Sequence, residues 1–360
     1  MKLPRPRKII AEKYVAGLSL FKSIRSPIKL SANESALGPS PKAVKSYNSI
    51  GKGFVRYPDS DGTFFRKVLA KKFRLDKNRI ILGSGSDQIF ELVCKLFLNK
   101  GDQVVVTQYS FIIYRIYSRM CGSTVKFAEE KNFTPSVQGI LNCVNRKTKI
   151  VLLANPNNPT GTYLNRNEML ELRKRLRSDI LLVVDDAYCE FIEDSNFASG
   201  IELFSKSKNV LITRTFSKIY GLAGLRVGWG YSSKPIIKKL YEIKPPFNVS
   251  RPALFAATQA VQDTNWLSKA IKHNNYWCEK IFDVIDEIGI STNKTKVNFF
   301  LLNFDFVDKS SSQVFNKLAN LGILVRQMDV YSIKNSLRVT IGNSFENKKL
   351  ISSLRKIFNV

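Results

Sequence analysis

Short apolar runs alternate with stretches in which apolar side chains return every three or four positions, from about residue 60 to residue 245. The first pattern predicts buried strands and the second amphipathic helices. Phe64, Phe65, Val68, Leu69 and Phe73 share one helical face after the turn Arg56-Tyr57-Pro58-Asp59. Residues 79–82 predict a short strand, and Ile89, Phe90, Leu92, Val93, Leu96 and Phe97 a helix after Gly83-Ser84-Gly85-Ser86-Asp87. Further strands are predicted at Gln103–Thr107, 149–154, 180–184 and 209–214, each followed by a polar or aromatic turn. Such alternation builds an α/β fold around a mostly parallel sheet covered on both faces. Beyond Pro245-Pro246 the pattern changes to one long helix over residues 251–288, then strands near 297–304, 323–325 and 337–341. Three parts follow: an arm over residues 1–39, a large domain over 40–245, and a bridging helix with a small α+β domain over 246–360, against which the arm packs.

Composition agrees with a chain able to bury a large core: 360 residues, 44% hydrophobic and 24% charged. No apolar run reaches the roughly 20 residues needed to span a bilayer, and the basic start lacks a signal-like apolar stretch, so a cytoplasmic protein is expected. Cys94, Cys121, Cys143, Cys189 and Cys278 are odd in number and widely spaced, which fits reduced thiols rather than a disulfide framework. The one histidine, His273, excludes a multi-histidine metal site and is expected to be a solvated helix residue, so no metal is expected. Net charge is +28, but Lys and Arg are spread along the whole chain, with runs such as Lys71-Lys72, Arg173 to Arg177 and Lys238-Lys239 on outer helix faces. Charge distributed in that way argues against a dedicated nucleic-acid surface and for a solvated one.

The turns after the predicted strands carry the chemistry, because open α/β sheets bind ligands at the carboxyl ends of their strands. Segment 213–229 sets Lys218 among Thr215 and Ser217 and ends with Arg226. A lysine in a partly desolvated pocket can form a Schiff base with a carbonyl, and hydroxyls with a guanidinium suit a phosphate. The segment alone fits an ordinary loop lysine equally well. The other strand ends shift the balance: Gly85 and Ser86 open a helix suited to an anion, Phe111 can stack on a flat ring, Asp185 can pair with a protonated ring nitrogen, and Asn158 with Tyr188 can hydrogen-bond a ring oxygen. Each has a plain structural reading, since Asp185 or Asp186 can cap a helix, Phe111 can be core, and residues 155–159 form a turn in any context.

The motifs NESALGPSP from Asn33, RYPD from Arg56, GSD from Gly85, YSFIIY from Tyr109, NPNNPTG from Asn155, DDAY from Asp185, TFSKIYGLAGLRVGW from Thr215, PPFNVS from Pro245, LVRQM from Leu324 and LRVTIG from Leu337 stand in order. In these the chain resembles the pyridoxal-phosphate aminotransferases of fold type I, in their histidinol-phosphate aminotransferase branch. The resemblance implies pyridoxal 5'-phosphate (PLP) joined as a Schiff base to Lys218, with Asp185 at the pyridine nitrogen, Asn158 and Tyr188 at the ring oxygen, and Phe111 stacked. Gly85, Ser86, Thr215, Ser217 and Arg226 would hold its phosphate, and Tyr57 would reach the phosphate of a second subunit, which implies a homodimer. Arg338 would bind the carboxylate of L-glutamate, the amino donor. Tyr14 and Arg326 would take the phosphate of a small phosphorylated carbonyl acceptor, and Asn33 belongs to the same substrate side.

Three positions depart from the family's pattern: Ala16 where its arm has proline, Gln88 where an acid follows GSD, and Asp186 where it has glutamate. Ala16 removes the fixed φ that proline gives the arm. Imidazole acetol phosphate and other phosphorylated ketones both fit as acceptor. Two other activities share these features: a lyase that decarboxylates a phosphorylated amino acid on the same cofactor, and a non-catalytic nucleic-acid-binding regulator, suggested only by the charge.

Overall fold

The computed structural model describes residue 9, residues 11–15, residue 17 and residues 26–360; the expectation for Ala16 lies outside the described residues. Strand β1 (Ile28–Lys29) precedes helices α1 (Pro41–Asn48) and α2 (Thr63–Phe73). The chain then runs β2 (Ile80–Gly83), α3 (Gly85–Phe97), β3 (Gln103–Thr107), α4 (Ile112–Met120), β4 (Thr124–Ala128), α5 (Val137–Asn142) and β5 (Thr148–Ala154). It continues through α6 (Arg166–Arg175), β6 (Leu181–Asp185), α7 (Gly200–Phe204), β7 (Val210–Thr215) and β8 (Gly228–Tyr231). Helices α8 (Lys234–Ile243), α9 (Arg251–Gln262) and α10 (Thr264–Ile288) lead to β9 (Phe299–Asn303), α11 (Ser311–Asn320), β10 (Ile323–Leu324), β11 (Arg326–Gln327), β12 (Ser336–Thr340) and α12 (Ser344–Phe358).

Seven strands form one sheet in the order β2-β8-β7-β6-β5-β3-β4, and only β8 runs antiparallel to its neighbours. The buried strands are apolar on both faces, as a sheet covered on both sides requires. Val151, Leu153, Leu182, Val184 and Ile212 face one core, while Ile150, Leu152, Leu181, Val183 and Leu211 face the other. A further core gathers Trp277, Ile281, Phe300, Leu302, Leu337 and Leu350 around the antiparallel sheet β11-β12-β9. The segment before α1 joins that core, because β1 pairs with β10 through Ile28 and Ile323. Among the described residues no helix is long and apolar enough to cross a membrane.

Four expectations change. The bridging helix is broken at Asp263, which ends α9 and whose carboxylate accepts from the Trp266 N–H at 3.4 Å to start α10. Strands β4 and β8 lack an apolar run: β4 is a half-exposed edge and β8 reads Gly-Trp-Gly-Tyr. His273 is half-buried, with Nε2 2.9 Å from the Gly342 carbonyl. Arg173 is not a free surface charge, since its guanidinium donates to the carbonyls of Leu176, Arg177 and Ile180 and closes the end of α6.

The break at Asp263 gives a stability test. Asp263→Ala removes the cap and the 3.7 Å pairing with Lys42, and is expected to cost about 0.5–2 kcal/mol, read as a lower urea midpoint at unchanged slope.

Candidate active site

Strands β2, β3, β5, β6 and β7 run parallel, so their carboxyl ends open on one edge of the sheet, under β11 and β12. A cavity of about 300 Å³ lies there. Ser86, Phe111, Asn158, Asp185, Tyr188, Thr215, Ser217, Lys218 and Arg226 all line it, and so do Tyr14, Asn33, Arg326 and Arg338 from the arm and the second core. A larger open groove of about 680 Å³ runs beside Tyr163, Glu193 and Asn275, but its polar groups pair with each other: Tyr163 donates to Asp194 at 2.6 Å and Asn275 to Glu193 at 2.8 Å.

One end of the cavity is an anion cradle. Because β8 returns antiparallel beside β7, residues 216–227 fold as a loop over the strand ends instead of crossing back as a helix. Arg226 takes a left-handed conformation at φ 51°, and its Nη1 donates to Ser217 Oγ at 3.1 Å while Nη2 lies 3.4 Å from Asp87 Oδ2. Gly85, at φ 76°, gives the guanidinium room, since a Cβ there would sit 2.3 Å from Nη2. Gly228 does the same for the start of α3: its Cβ would meet the Ser86 nitrogen at 2.5 Å. The result is a helix N-terminus, three hydroxyls and a guanidinium facing one space.

The opposite end is a buried carboxylate. Asp185 ends β6, and its two oxygens accept from Tyr114 Oη at 2.7 Å and Thr213 Oγ1 at 3.0 Å. Burial pushes this carboxyl up to about 6, against the pull of those two donors. Between the ends lies Lys218, with Nζ 3.4 Å from the Ala32 carbonyl and 5.5 Å from the centre of the Tyr188 ring. Burial, and then the positive charge of Arg338, lower the lysine to about 8. A carboxylate and an amine thus share one cleft, each displaced toward neutrality by loss of water.

The roof comes from the second core. Arg338 on β12 donates to Asn158 Oδ1 and, at 3.1 Å, to the Ser31 carbonyl, while its buried Nε has no hydrogen-bond partner among the described residues. Asn33, at φ 54°, receives its orientation from Thr340, which accepts from the Asn33 N–H at 2.9 Å; the Asn33 amide then donates to Tyr188 Oη at 3.1 Å. Arg326 donates to the Val15 carbonyl at 2.5 Å, which ties the arm beside Tyr14. Tyr57 is not brought to this cavity within one chain: it is 79% exposed and stacks on Phe247 at 4.5 Å.

Asp186 and Gln88 serve the scaffold. Asp186 points away from the cavity and accepts from the Gly200 N–H at 3.0 Å, holding the start of α7, with Arg214 3.7 Å away. Gln88 Oε1 accepts from the Ser84 N–H at 2.8 Å and from Asn248 at 2.6 Å. Sequence reasoning missed Asp87, Tyr114, Thr213 and Tyr331, all of which line the cavity or touch Asp185. One of them left a signal: Tyr114 lies three residues after Phe111 at helical spacing.

The family model for aminotransferase class I and II matches residues 25–354. The chain is 47% identical to the histidinol-phosphate aminotransferase of Pelagibacter ubique over all of both chains, and 39% identical to that of Paramagnetospirillum magneticum over 98% of both. Its fold is similar to that of the Sinorhizobium meliloti histidinol-phosphate aminotransferase solved with pyridoxal-5'-phosphate, with TM-score 0.86 and 24% identity over 93% of this chain and 92% of that one. It is also similar to the Clostridium acetobutylicum enzyme of that name, with TM-score 0.85 and 22% identity over 92% and 99%. The chain therefore belongs to the class I and II aminotransferase family, on its histidinol-phosphate aminotransferase-like branch.

Proposed function

We propose that this aminotransferase uses pyridoxal 5'-phosphate to move the amino group of L-glutamate to a small phosphorylated carbonyl compound, with imidazole acetol phosphate as the acceptor. The observation that carries the reading is the single cleft with an anion cradle at one end, a buried carboxylate at the other and a near-neutral lysine between them. The residues fit the cofactor. Gly85 and Gly228 leave a cradle that any Cβ would fill, three hydroxyls and Arg226 match a phosphate, and Asp185 is a paired carboxylate facing into the cleft. Bound there, the cofactor supplies an aldehyde for the amino group and an electron-withdrawing ring for the carbanion.

The chain's own groups divide the work. Ser86, Thr215, Ser217 and Arg226 would bind the cofactor phosphate, and Asp185 would hold a proton on the ring nitrogen. Asn158 and Tyr188 would hydrogen-bond the ring oxygen, and Phe111, which lines the same cavity, would stack on the ring. Arg338, with an unpartnered Nε, binds the α-carboxylate of glutamate. Lys218 Nζ would hold the cofactor and, as a free amine, would accept the α-proton of the amino-acid substrate, because an amine shifted to about 8 is partly unprotonated near neutral pH. Tyr14 and Arg326 bind the acceptor's phosphate, which the arm contact at Val15 keeps near the cleft.

A homodimer belongs to the same reading. Phe54, Val55, Tyr57, Phe64, Phe247 and Phe255 are exposed, and Tyr57, Phe64 and Phe255 line one hollow separate from the cavity that Lys218 lines. A second copy covering that face would bring Tyr57 to its neighbour's site. Residues 40–245 act as the cofactor-binding domain and 246–360, with the arm, as the substrate-closing one. The cytoplasm is the compartment expected for this chemistry.

Three outcomes test the proposal. Lys218→Ala should lower glutamate-dependent formation of 2-oxoglutarate about 10²–10⁴-fold while the protein still binds the cofactor; turnover at the parental rate would overturn the assignment. Cofactor uptake by the apo-protein should rise with pH with its midpoint near 8, where Lys218 loses its proton, rather than near the 10.5 of an unburied lysine. Arg326→Ala should raise KM for imidazole acetol phosphate about 10–100-fold, the loss of charged hydrogen bonds to its phosphate, measured by following 2-oxoglutarate at saturating glutamate.

A further inference from the structure

Among the described residues Tyr114 is the largest fully buried polar side chain that touches the site. It lies in the first turn of α4, with 0% of its surface exposed, and its ring meets Phe111 edge-on at 5.8 Å and 89° and Phe90 at 5.0 Å and 74°. Its hydroxyl donates to Asp185 Oδ2 at 2.7 Å. One side chain therefore joins the ring that stacks in the cleft to the carboxylate at its end. A phenol that donates to a carboxyl oxygen favours the ionised form, and with Thr213 it takes one lone pair on each oxygen.

We propose that Tyr114 is a positioning residue for Asp185: its hydroxyl fixes the carboxylate plane, keeps the group ionised in a dry site, and so governs the pH range over which the protein retains its cofactor. The inference rests on the proposed role of Asp185 at the ring nitrogen. Its direction follows from which form the hydrogen bond stabilises. Donors favour the carboxylate, whereas burial favours the acid. Burial also raises the phenol of Tyr114 well above 10, so it stays a donor at every relevant pH. The other groups facing Asp185 are fixed in the comparison: Asp87 on α3, Thr213 on β7, Asp186 and Tyr188 of its own turn, and Lys218 and Arg338 across the cavity.

The experiment dialyses the full-length holoenzyme over a series of pH values and reads the pyridoxal 5'-phosphate that remains by its absorbance. Retention is present while Asp185 is ionised and is lost as pH falls through its protonation. Tyr114→Phe keeps the ring against Phe111 and Phe90 and removes one donor, so the acid midpoint should move up by roughly one pH unit, the equivalent of a lost hydrogen bond to a charge. 3-Fluorotyrosine at position 114, a stronger donor of nearly the same shape, should move the midpoint down, and this arm decides the matter if the Phe variant does not fold. Unmoved midpoints in both would overturn the inference even if affinity falls, because a merely structural tyrosine changes affinity without changing the pH at which it is lost. Asp185→Asn separates the two levels: it should bind weakly and lose the lower acid step, keeping only the dependence that Lys218 sets, and a variant that binds as tightly as the parent with the lower step intact would sink the role of Asp185 instead.

Discussion

The site depends on how closely β8 approaches the start of α3. Gly228 lies so near the Ser86 nitrogen that no side chain fits, and Gly85 leaves the same kind of space for the Arg226 guanidinium. Closeness here is a consequence of the antiparallel return of β8, which inserts between β2 and β7 and brings the turn after β2 beside the loop after β7. One topological choice thus sets Ser86, Ser217 and Arg226 around a common point. It also leaves residues 216–227 without a crossover helix, so Lys218 sits on a loop anchored at both ends by the same sheet.

Electrostatics completes what topology starts. Lys218 is lowered and Asp185 raised, each chiefly by burial, and the two shifts bring a base and an acid toward the working range from opposite sides. Asp87 shows the same logic: desolvation raises it, and Arg226 and Lys218 pull it back. The cleft nevertheless holds more fixed positive than negative charge, with Lys218, Arg226, Arg326 and Arg338 against Asp87 and Asp185 near the cofactor positions. That excess suits dianionic phosphates, and the +28 of the whole chain adds a long-range field of the same sign.

Much of this was legible because it is written in local patterns. Apolar runs found the buried strands, and the turns after them named the residues that meet, since the carboxyl ends of parallel strands must share an edge. Lys218, Asp185 and Asn158 were found in that way. What local pattern does not carry is direction. Asp185 and Asp186 are equivalent in sequence, yet neighbours on a strand point to opposite faces, and only packing decides that Asp185 enters the cleft while Asp186 holds α7. Tyr114 reads as one more aromatic on a helix face until the far end of β6 is known to stop beside it. The break at Asp263 was hidden for the reverse reason, because the apolar period runs on through both α9 and α10.

The small sheet carries one more consequence of register. Arg326 and Arg338 are direct partners across β11 and β12, and both are buried. Like charges opposite one another on antiparallel strands repel, and loss of water strengthens the repulsion. Among the described residues neither guanidinium finds a carboxylate: Arg338 donates to an amide oxygen and a carbonyl, and Arg326 to the Val15 carbonyl. Carbonyls are weaker partners for a guanidinium than carboxylates or phosphates, whose geometry it matches with two parallel bonds. A pair arranged like this gains most from anions, so under the proposed function the repulsion between the two guanidiniums sharpens the choice of ligands that bring negative charge to both arginines.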